Sequence, residues 1–249
     1  MTEPVPTPAE VDAVPDRRLG RLREPLRWLA AAQGAWPPHE PAQVRTVSDG
    51  GDRADDAGLA GGRAGGRAEA DALADSGADL VVLSCTGDPV PALVACAVLL
   101  DLDPVHAVGS SGDPATWAHQ VVAVRRGLLT CRALLAEPAA LLDALDAPPL
   151  SRVTGLLVQA AARRTPVVLD GSAVAAAAAL VGERLTPGAS AWWLAGATPA
   201  GAAAQEALDA LGLVPLLELG LDLPGTGGLA LDLLRWAVAR QRELLTAGG

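Results

Sequence analysis

The chain has 249 residues, and half of them are hydrophobic, which is enough to bury a substantial core in one large domain or two small ones. Acidic residues outnumber basic ones by 29 to 19, so the basic surface that nucleic-acid binding requires is not expected. The chain contains no lysine, which excludes Schiff-base chemistry, a lysine general base and the lysine of a Walker phosphate loop.

Residues 1–16 are acidic and proline-rich, and we expect them to form a disordered leader. They lack the positive and apolar regions of a signal peptide. The longest apolar run, 80–100, is interrupted by Asp88, Pro89 and Pro91, so no membrane-spanning segment and no membrane partner are predicted. We expect a cytoplasmic protein.

Residues 17–40 are expected to supply an N-terminal helix, because Leu19, Leu22, Leu26 and Leu29 form one apolar stripe at helical spacing. Residues 41–77 are expected to hold a short strand, 44–47, followed by a mobile loop. The loop is predicted over 48–67, which is rich in Gly, Asp and Arg and has too few bulky apolar side chains to offset its chain entropy.

From residue 78 onward, short β-like runs alternate with Ala- and Leu-rich helical runs, which is typical of a parallel sheet covered by helices. The predicted strands are 79–84, 105–109, 166–170, 191–195 and 214–219. The predicted helices are 91–100, 114–135, 153–163, 172–184, 201–211 and 229–245. Residues 78–220 would form the α/β core, and 221–249 a glycine-rich turn with the C-terminal helix.

Ligands of an open parallel sheet bind beyond the carboxyl ends of its strands, so the candidate segments are those that follow each predicted strand. These are 85–88, 109–113, 170–172, 196–198 and 223–228. The glycines at 225–228 precede the last helix and could hold a phosphate or carboxylate, or could simply form a turn. Ser172 is interpreted as a helix N-cap, because the G-x-S-x-G pattern of a serine nucleophile is absent.

Metal and cofactor sites are not predicted. The cysteines are Cys85, Cys96 and Cys131, and the histidines are His39, His106 and His119. They show no CxxC, HExxH or other metal-ligand spacing, and Cys96 and Cys131 lie in apolar helical patterns that favour burial as small hydrophobic side chains.

Several phrases occur together in the last third of the chain: R-T-P-V-V-L-D-G at 164–171, A-L-D-A-L-G-L-V-P-L-L at 207–217, L-G-L at 219–221 and G-T-G at 225–227. With L-G-R-L at 19–22 and Q-G at 33–34, their order and spacing resemble the nicotinate-nucleotide:dimethylbenzimidazole phosphoribosyltransferase family. The resemblance covers most of the chain and is strongest over its last third.

This resemblance implies an α/β fold: a three-layer parallel sheet flanked by helices, with a small helical subdomain formed by the N- and C-terminal helices, in a homodimer. It also implies a reaction in cobalamin assembly. Members of the family move the phosphoribosyl group of nicotinate mononucleotide onto 5,6-dimethylbenzimidazole, releasing nicotinate and forming α-ribazole phosphate.

The resemblance places ten residues in the substrate site. They are Gly87, Asp88, Gly109, Ser110, Asp170, Gly171, Pro224, Gly225, Thr226 and Gly227. The family's catalytic glutamate directly precedes the G-T-G turn, where this chain has Pro224, and a prolyl ring cannot accept a proton. Asp222 and Glu218 are the candidate substitute bases. In the family's phosphate loop this chain has Asp88 and Pro89, which add a negative charge and remove an amide donor.

Two functions are therefore expected from different classes. The first is a degenerate member of the family with weak or no transfer activity, which binds nicotinate mononucleotide or a benzimidazole as a small-molecule partner. The alternative is a non-catalytic binding or partner subunit that uses the same scaffold, as expected where core phrases persist while polar site residues are replaced.

Overall fold

The computed structural model describes residues 5–48, 62–110, 113–221 and 225–247. Within these ranges four strands form one parallel sheet in the order β1-β2-β3-β4. The strands are β1 (Val44–Ser48), β2 (Leu80–Ser84), β3 (Val167–Leu169) and β4 (Trp193–Ala195). Because neighbouring strands run the same way, each connection must cross back over the sheet, and helices fill these crossovers.

The helices in chain order are α1 (Arg23–Gln33), α2 (Gly62–Asp75), α3 (Pro89–Leu100), α4 (Pro104–Val108), α5 (Pro114–Cys131), α6 (Pro138–Leu145), α7 (Pro148–Ala162), α8 (Ala173–Leu185), α9 (Ala202–Ala210) and α10 (Thr226–Ala247). Short 3-10 helices span Arg17–Leu22, Arg132–Leu134 and Ala189–Trp192. Ser172 caps α8 by accepting a hydrogen bond from the Ala175 amide at 3.1 Å, which confirms its predicted role. No helix in the described ranges is long and apolar enough to cross a membrane.

Strands β2, β3 and β4 are buried on both faces, and their side chains alternate between two cores. One core joins the sheet to α1 and α10 and contains Leu26, Leu29, Leu80, Val82, Val168, Leu194 and Leu234. The other joins it to α3, α7 and α8 and contains Val81, Leu83, Leu93, Leu157, Val167, Leu169 and Leu180. The predicted three-layer α/β architecture is confirmed. The N- and C-terminal helices pack together and cover one face of the sheet.

Two predicted strands are wrong. Residues 105–109 are mostly helix α4, because the Asp103 carboxylate accepts hydrogen bonds from the amides of Val105 and His106 and starts a helical turn at Pro104. Residues 214–219 form only an isolated bridge, in which Leu217 pairs with Ala197. The predicted strands at 44–47, 79–84, 166–170 and 191–195 correspond to β1, β2, β3 and β4.

The structure also orders two segments that were expected to be disordered. Residues 62–67 of the predicted loop begin α2, and 49–61 lie outside the described residues. Leader residues 5–16 pack on the fold. There the Trp192 indole N–H donates to the Pro6 carbonyl, the Ala9 amide to the Ala31 carbonyl, and the Asp16 amide to Gln241 Oε1. Backbone groups of the leader are therefore hydrogen-bonded, which apolar patterning alone does not reveal.

The three cysteines are buried, as the apolar patterns predict for Cys96 and Cys131. Burial raises the pKa of the Cys96 thiol to about 12, because desolvation disfavours the thiolate. This side chain is therefore an unreactive part of the core.

Helices α2 and α7 cross at two glycines. A Cβ atom on Gly66 would lie 1.9 Å from the Arg152 carbonyl oxygen, and one on Gly155 would lie 2.1 Å from the Arg63 carbonyl oxygen. No side chain fits at such distances from backbone atoms, so the crossing requires glycine on both helices. The sequence analysis predicted a loop where α2 begins, because the face of α2 that contacts α7 consists of small residues. These residues allow a close approach of the two helices without bulky apolar side chains.

We expect Gly66→Ala to lower the free energy of unfolding by about 1–3 kcal/mol, because the two helix backbones must separate. Urea denaturation followed by circular dichroism measures this change. The control is Gly228→Ala in α10, where the added methyl group meets no atom within 4 Å. The control should be neutral or slightly stabilising, and equal losses in both variants would contradict the proposed crossing constraint.

Helices α4 and α9 are joined by an exposed ion pair between His106 and Glu206. Glu206 raises the pKa of His106 above its usual 6.5, by hydrogen bonding first and by charge second, with a smaller contribution from the Asp103 charge. The folded state therefore binds this proton more tightly than the unfolded state does. The stabilisation is fully present below pH 6.5 and is lost as the pH rises through the raised value.

We expect His106→Gln to lower the urea midpoint more at about pH 5.5 than at about pH 9, relative to the unmodified chain at each pH. The comparison of four denaturation curves measures the effect. A pH-independent effect of His106→Gln would show that the pair does not link α4 to α9.

Candidate functional site

The ends of β2 and β3 meet the start of α10 at the carboxyl edge of the sheet. The Thr226 hydroxyl, on a residue that is 2% exposed, accepts a hydrogen bond from the Gly171 amide at 2.8 Å. Gly227 lies against β2, where a Cβ atom would be 2.8 Å from Val82 Cγ1 and 2.9 Å from the Leu83 carbonyl oxygen. The helix can begin this close to the sheet only because residue 227 has no side chain.

Asp170 joins the two strand ends through its buried carboxylate. One oxygen accepts a hydrogen bond from the Cys85 amide at 2.5 Å, and the other accepts from the Ser172 hydroxyl at 2.7 Å and the Ser172 amide at 3.3 Å. Asp170 is 3% exposed, so these donors replace the water that its charge would otherwise require. We call the contact set of Cys85, Asp170, Gly171, Thr226 and Gly227 the carboxyl-edge junction.

The turn 85–88 ends in a helix cap. Asp88 accepts a hydrogen bond from the Val90 amide at 3.0 Å and caps α3, and Pro89 occupies the first position of that helix. A carboxylate therefore already occupies one donor at this helix N-terminus, and the proline supplies none. Weakened anion binding at Asp88 and Pro89 stays a prediction. Gly87 lies in the same turn and is hydrogen-bonded or otherwise in contact there.

Gly109 and Ser110 follow α4 and lie near the start of α9. The Gly109 carbonyl accepts a hydrogen bond from the Trp117 indole N–H at 2.8 Å, and a Cβ atom on Gly109 would be 3.4 Å from the Ala202 amide nitrogen. Gly109 has a φ of +68°, which favours glycine. The two residues thus border the loop that follows β4, while 111–112 lie outside the described residues.

A cleft of about 540 Å³ opens beside this loop. Its lining comprises Arg21, Thr198, Pro199, Gln205, Leu208, Asp209, Val214, Pro215, Glu218, Leu219 and Gly220. Thr198 connects the cleft to the carboxyl-edge junction, because a Cβ atom on Gly171 would lie 3.4 Å from the Thr198 carbonyl oxygen. Glu218, a candidate base, is therefore in the cleft, whereas Asp222 and Pro224 lie outside the described residues.

The sequence patterns did not indicate that Arg21 lies in the cleft. Its guanidinium forms an ion pair with Glu218, and both side chains are largely exposed. Arg21 belongs to the L-G-R-L phrase at 19–22, but nothing in the sequence indicates that this phrase faces residue 218. A second, more apolar cavity of about 630 Å³ also includes Arg21 and lies between α1, β4 and residues 212–216. The described residues contain no cluster of side chains suited to hold a metal ion.

We expect Thr226→Val to lower the free energy of unfolding by about 1–3 kcal/mol, because the buried Gly171 amide loses its acceptor. Thr226→Ser is the matched control, since it keeps the hydroxyl and loses one methyl group. Urea denaturation compares the two variants. If the serine variant is destabilised as much as the valine variant, the hydrogen bond to Gly171 is not what stabilises the junction.

The comparisons with known proteins agree with this architecture. A family model described as Phosphoribosyltransferase (DBI_PRT) matches residues 59–248. The chain is 43% identical over 176 residues to the nicotinate-nucleotide–dimethylbenzimidazole phosphoribosyltransferase of Mycobacterium ulcerans (strain Agy99), which covers 68% of this chain and 49% of that protein. The protein of the same name from Mycobacterium tuberculosis (strain ATCC 25618 / H37Rv) is also 43% identical over 176 residues, with 68% and 48% covered.

The chain thus spans about half the length of the curated relatives it matches. Among solved structures, the crystal structure of CobT from Thermus thermophilus superposes with a TM-score of 0.75 and covers 92% of each chain at 23% identity, which supports the fold. The family model and the mycobacterial relatives show that the chain belongs to the nicotinate-nucleotide–dimethylbenzimidazole phosphoribosyltransferase family.

Proposed function

We propose that this chain binds nicotinate mononucleotide or a benzimidazole base at the carboxyl edge of its sheet, and that its phosphoribosyl transfer is weak or absent. The expected acceptor is 5,6-dimethylbenzimidazole, and the expected products of any residual reaction are nicotinate and α-ribazole phosphate. On this proposal the chain acts in cobalamin assembly, as a homodimer in the cytoplasm. The family relation supports the assigned substrates and reaction.

The carboxyl-edge junction is the observation that carries the binding proposal. Asp170, Gly171 and Thr226 hold the ends of β2 and β3 and the start of α10 in one place, and the 540 Å³ cleft adjoins them through Thr198. Open parallel sheets bind their ligands at this edge. A cleft of this size is large enough for a nucleotide-sized ligand.

The charged residues around the cleft support the proposal that phosphoribosyl transfer is weak or absent. Transfer needs a carboxylate that takes the azole proton as the ring nitrogen attacks the ribose carbon. Among the residues that the structure describes, two carboxylates line the cleft, those of Asp209 and Glu218. Glu218 is paired with Arg21, so it must leave this partner before it can contact the proton of an azole. The position of the family's glutamate holds Pro224.

The proposal is tested by calorimetric titration with nicotinate mononucleotide and with 5,6-dimethylbenzimidazole, together with chromatographic measurement of nicotinate release. We expect binding of at least one ligand and slow or undetectable release. Binding of neither ligand would contradict the proposal and would favour the alternative, a non-catalytic partner subunit. Rapid release would show that a proton acceptor is present after all.

Restoring a carboxylate at residue 224 provides a second measurement. If the missing base limits the reaction, Pro224→Glu should raise nicotinate release by about 100-fold, the usual contribution of a positioned general base. Pro224→Gln is the matched control, because the new glutamine has nearly the same shape as the new glutamate and cannot accept a proton at neutral pH. Equal release by the two variants would mean that the turn 85–88, and not the absent base, limits transfer.

A further inference from the structure

Arg21 lies where the two cavities meet. It lines both the 540 Å³ cleft and the 630 Å³ cavity, and its guanidinium contacts the Glu218 carboxylate. The two side chains are 63% and 65% exposed, so neither has lost its access to solvent or to a ligand. The pair therefore stands at an entrance and not in the core.

The backbones that carry the pair are fixed. Leu19, in the same 3-10 helix as Arg21, is 7% exposed and packs in the core beneath α1 and α10. On the other side, Leu217 precedes Glu218 and its carbonyl accepts a hydrogen bond from the Thr198 amide at 2.8 Å. The two side chains can thus change partners by rotation while their backbones stay in place.

The charges of the residues that line the cleft indicate that an anion entering it would bind Arg21. Among the described residues that line the cleft, Arg21 is the one cation, and Asp209 and Glu218 are the two carboxylates. A phosphate that enters must bind Arg21 or meet net negative charge. It must also displace Glu218, because that carboxylate already occupies the guanidinium.

Displacement is energetically easy. An exposed ion pair is weak, since solvent screens its charges and two long side chains must be held in one geometry. A phosphate can bind a guanidinium through two parallel hydrogen bonds, which is a stronger arrangement. An incoming phosphate can therefore replace Glu218 on Arg21.

We propose that Arg21 is the phosphate-binding residue of this cleft and that Glu218 competes with the ligand for it. Binding of a phosphorylated ribose to Arg21 leaves Glu218 unpaired in the cleft, so that occupancy by the anion controls which partner the carboxylate has. This inference rests on the proposed function, because it assigns a residue to the phosphoribosyl ligand. Unlike that proposal, it predicts that substitutions of Arg21 and of Glu218 change ligand binding in opposite directions.

The test is calorimetric titration of ribose 5-phosphate and nicotinate mononucleotide into Arg21→Ala, Glu218→Gln and the double variant. Arg21→Ala should weaken binding at least about tenfold, and Glu218→Gln should tighten it about threefold or more. In the double variant, Glu218→Gln should have no further effect, because its influence is exerted through Arg21. Melting curves check that these exposed substitutions leave the fold intact.

Two matched controls separate this competition from general electrostatics. Arg27→Ala removes an arginine of the neighbouring helix α1, which pairs with Glu24 and lines the 630 Å³ cavity but not the cleft. It should change binding less than about twofold. Asp209→Asn removes the other carboxylate of the cleft and should tighten binding less than Glu218→Gln does.

Several outcomes would overturn the inference. Equal effects of Arg21→Ala and Arg27→Ala, equal effects of Glu218→Gln and Asp209→Asn, or no tightening by Glu218→Gln would each do so, even if the unmodified chain binds nicotinate mononucleotide. If Glu218→Gln binds nicotinate mononucleotide and the unmodified chain does not, the result supports the competition between Glu218 and the ligand. It contradicts the proposal that the unmodified chain binds this nucleotide. If neither binds, the inference fails, and the benzimidazole titration alone decides the proposed function.

Discussion

The close approach of α10 to the sheet is the contact on which the arrangement of the site depends. Gly227 allows the first turn of the helix to lie against the Leu83 carbonyl, and Thr226 is hydrogen-bonded to the Gly171 amide. The same helix buries Leu234 against β2 and β3 in the core beneath the sheet. One helix therefore packs against the face formed by β2 and β3 and also determines where the turns after these strands lie relative to each other.

The negative charge of Asp170 is accommodated at this contact because its donors come from two different strand ends. Cys85 follows β2 and Ser172 follows β3, so the carboxylate is solvated by the protein and links the two connections. Asp88 acts locally, on the helix that it begins. Of the two aspartates that the family resemblance places in the site, one organises the edge of the sheet and the other caps a helix.

Hydrophobic patterning predicted the elements whose burial is extensive. The strands at 79–84 and 166–170 were recognisable because both of their faces are apolar, and the long helices because their apolar positions recur. Residues 105–109 were assigned to a strand because they contain β-branched valines, but Asp103 and Pro104 start a helix there. Helix α2 has glycine and alanine where it contacts α7, so it carries no bulky apolar stripe to detect.

The location of the site was predictable from the sequence only because a parallel sheet brings the carboxyl ends of its strands together. The Arg21–Glu218 pair was not, because residues 197 apart in sequence meet only through tertiary packing.

The reciprocal glycine contact between α2 and α7 also bears on how this chain can diverge. Any descendant that keeps the crossing must retain both glycines, because neither backbone carbonyl can move aside without its whole helix. Neutral substitution at the two codons is therefore blocked independently of ligand binding. Members of a lineage that had lost catalysis would still keep these glycines. The presence of both glycines would therefore indicate that the fold is retained, and not that the protein is catalytic.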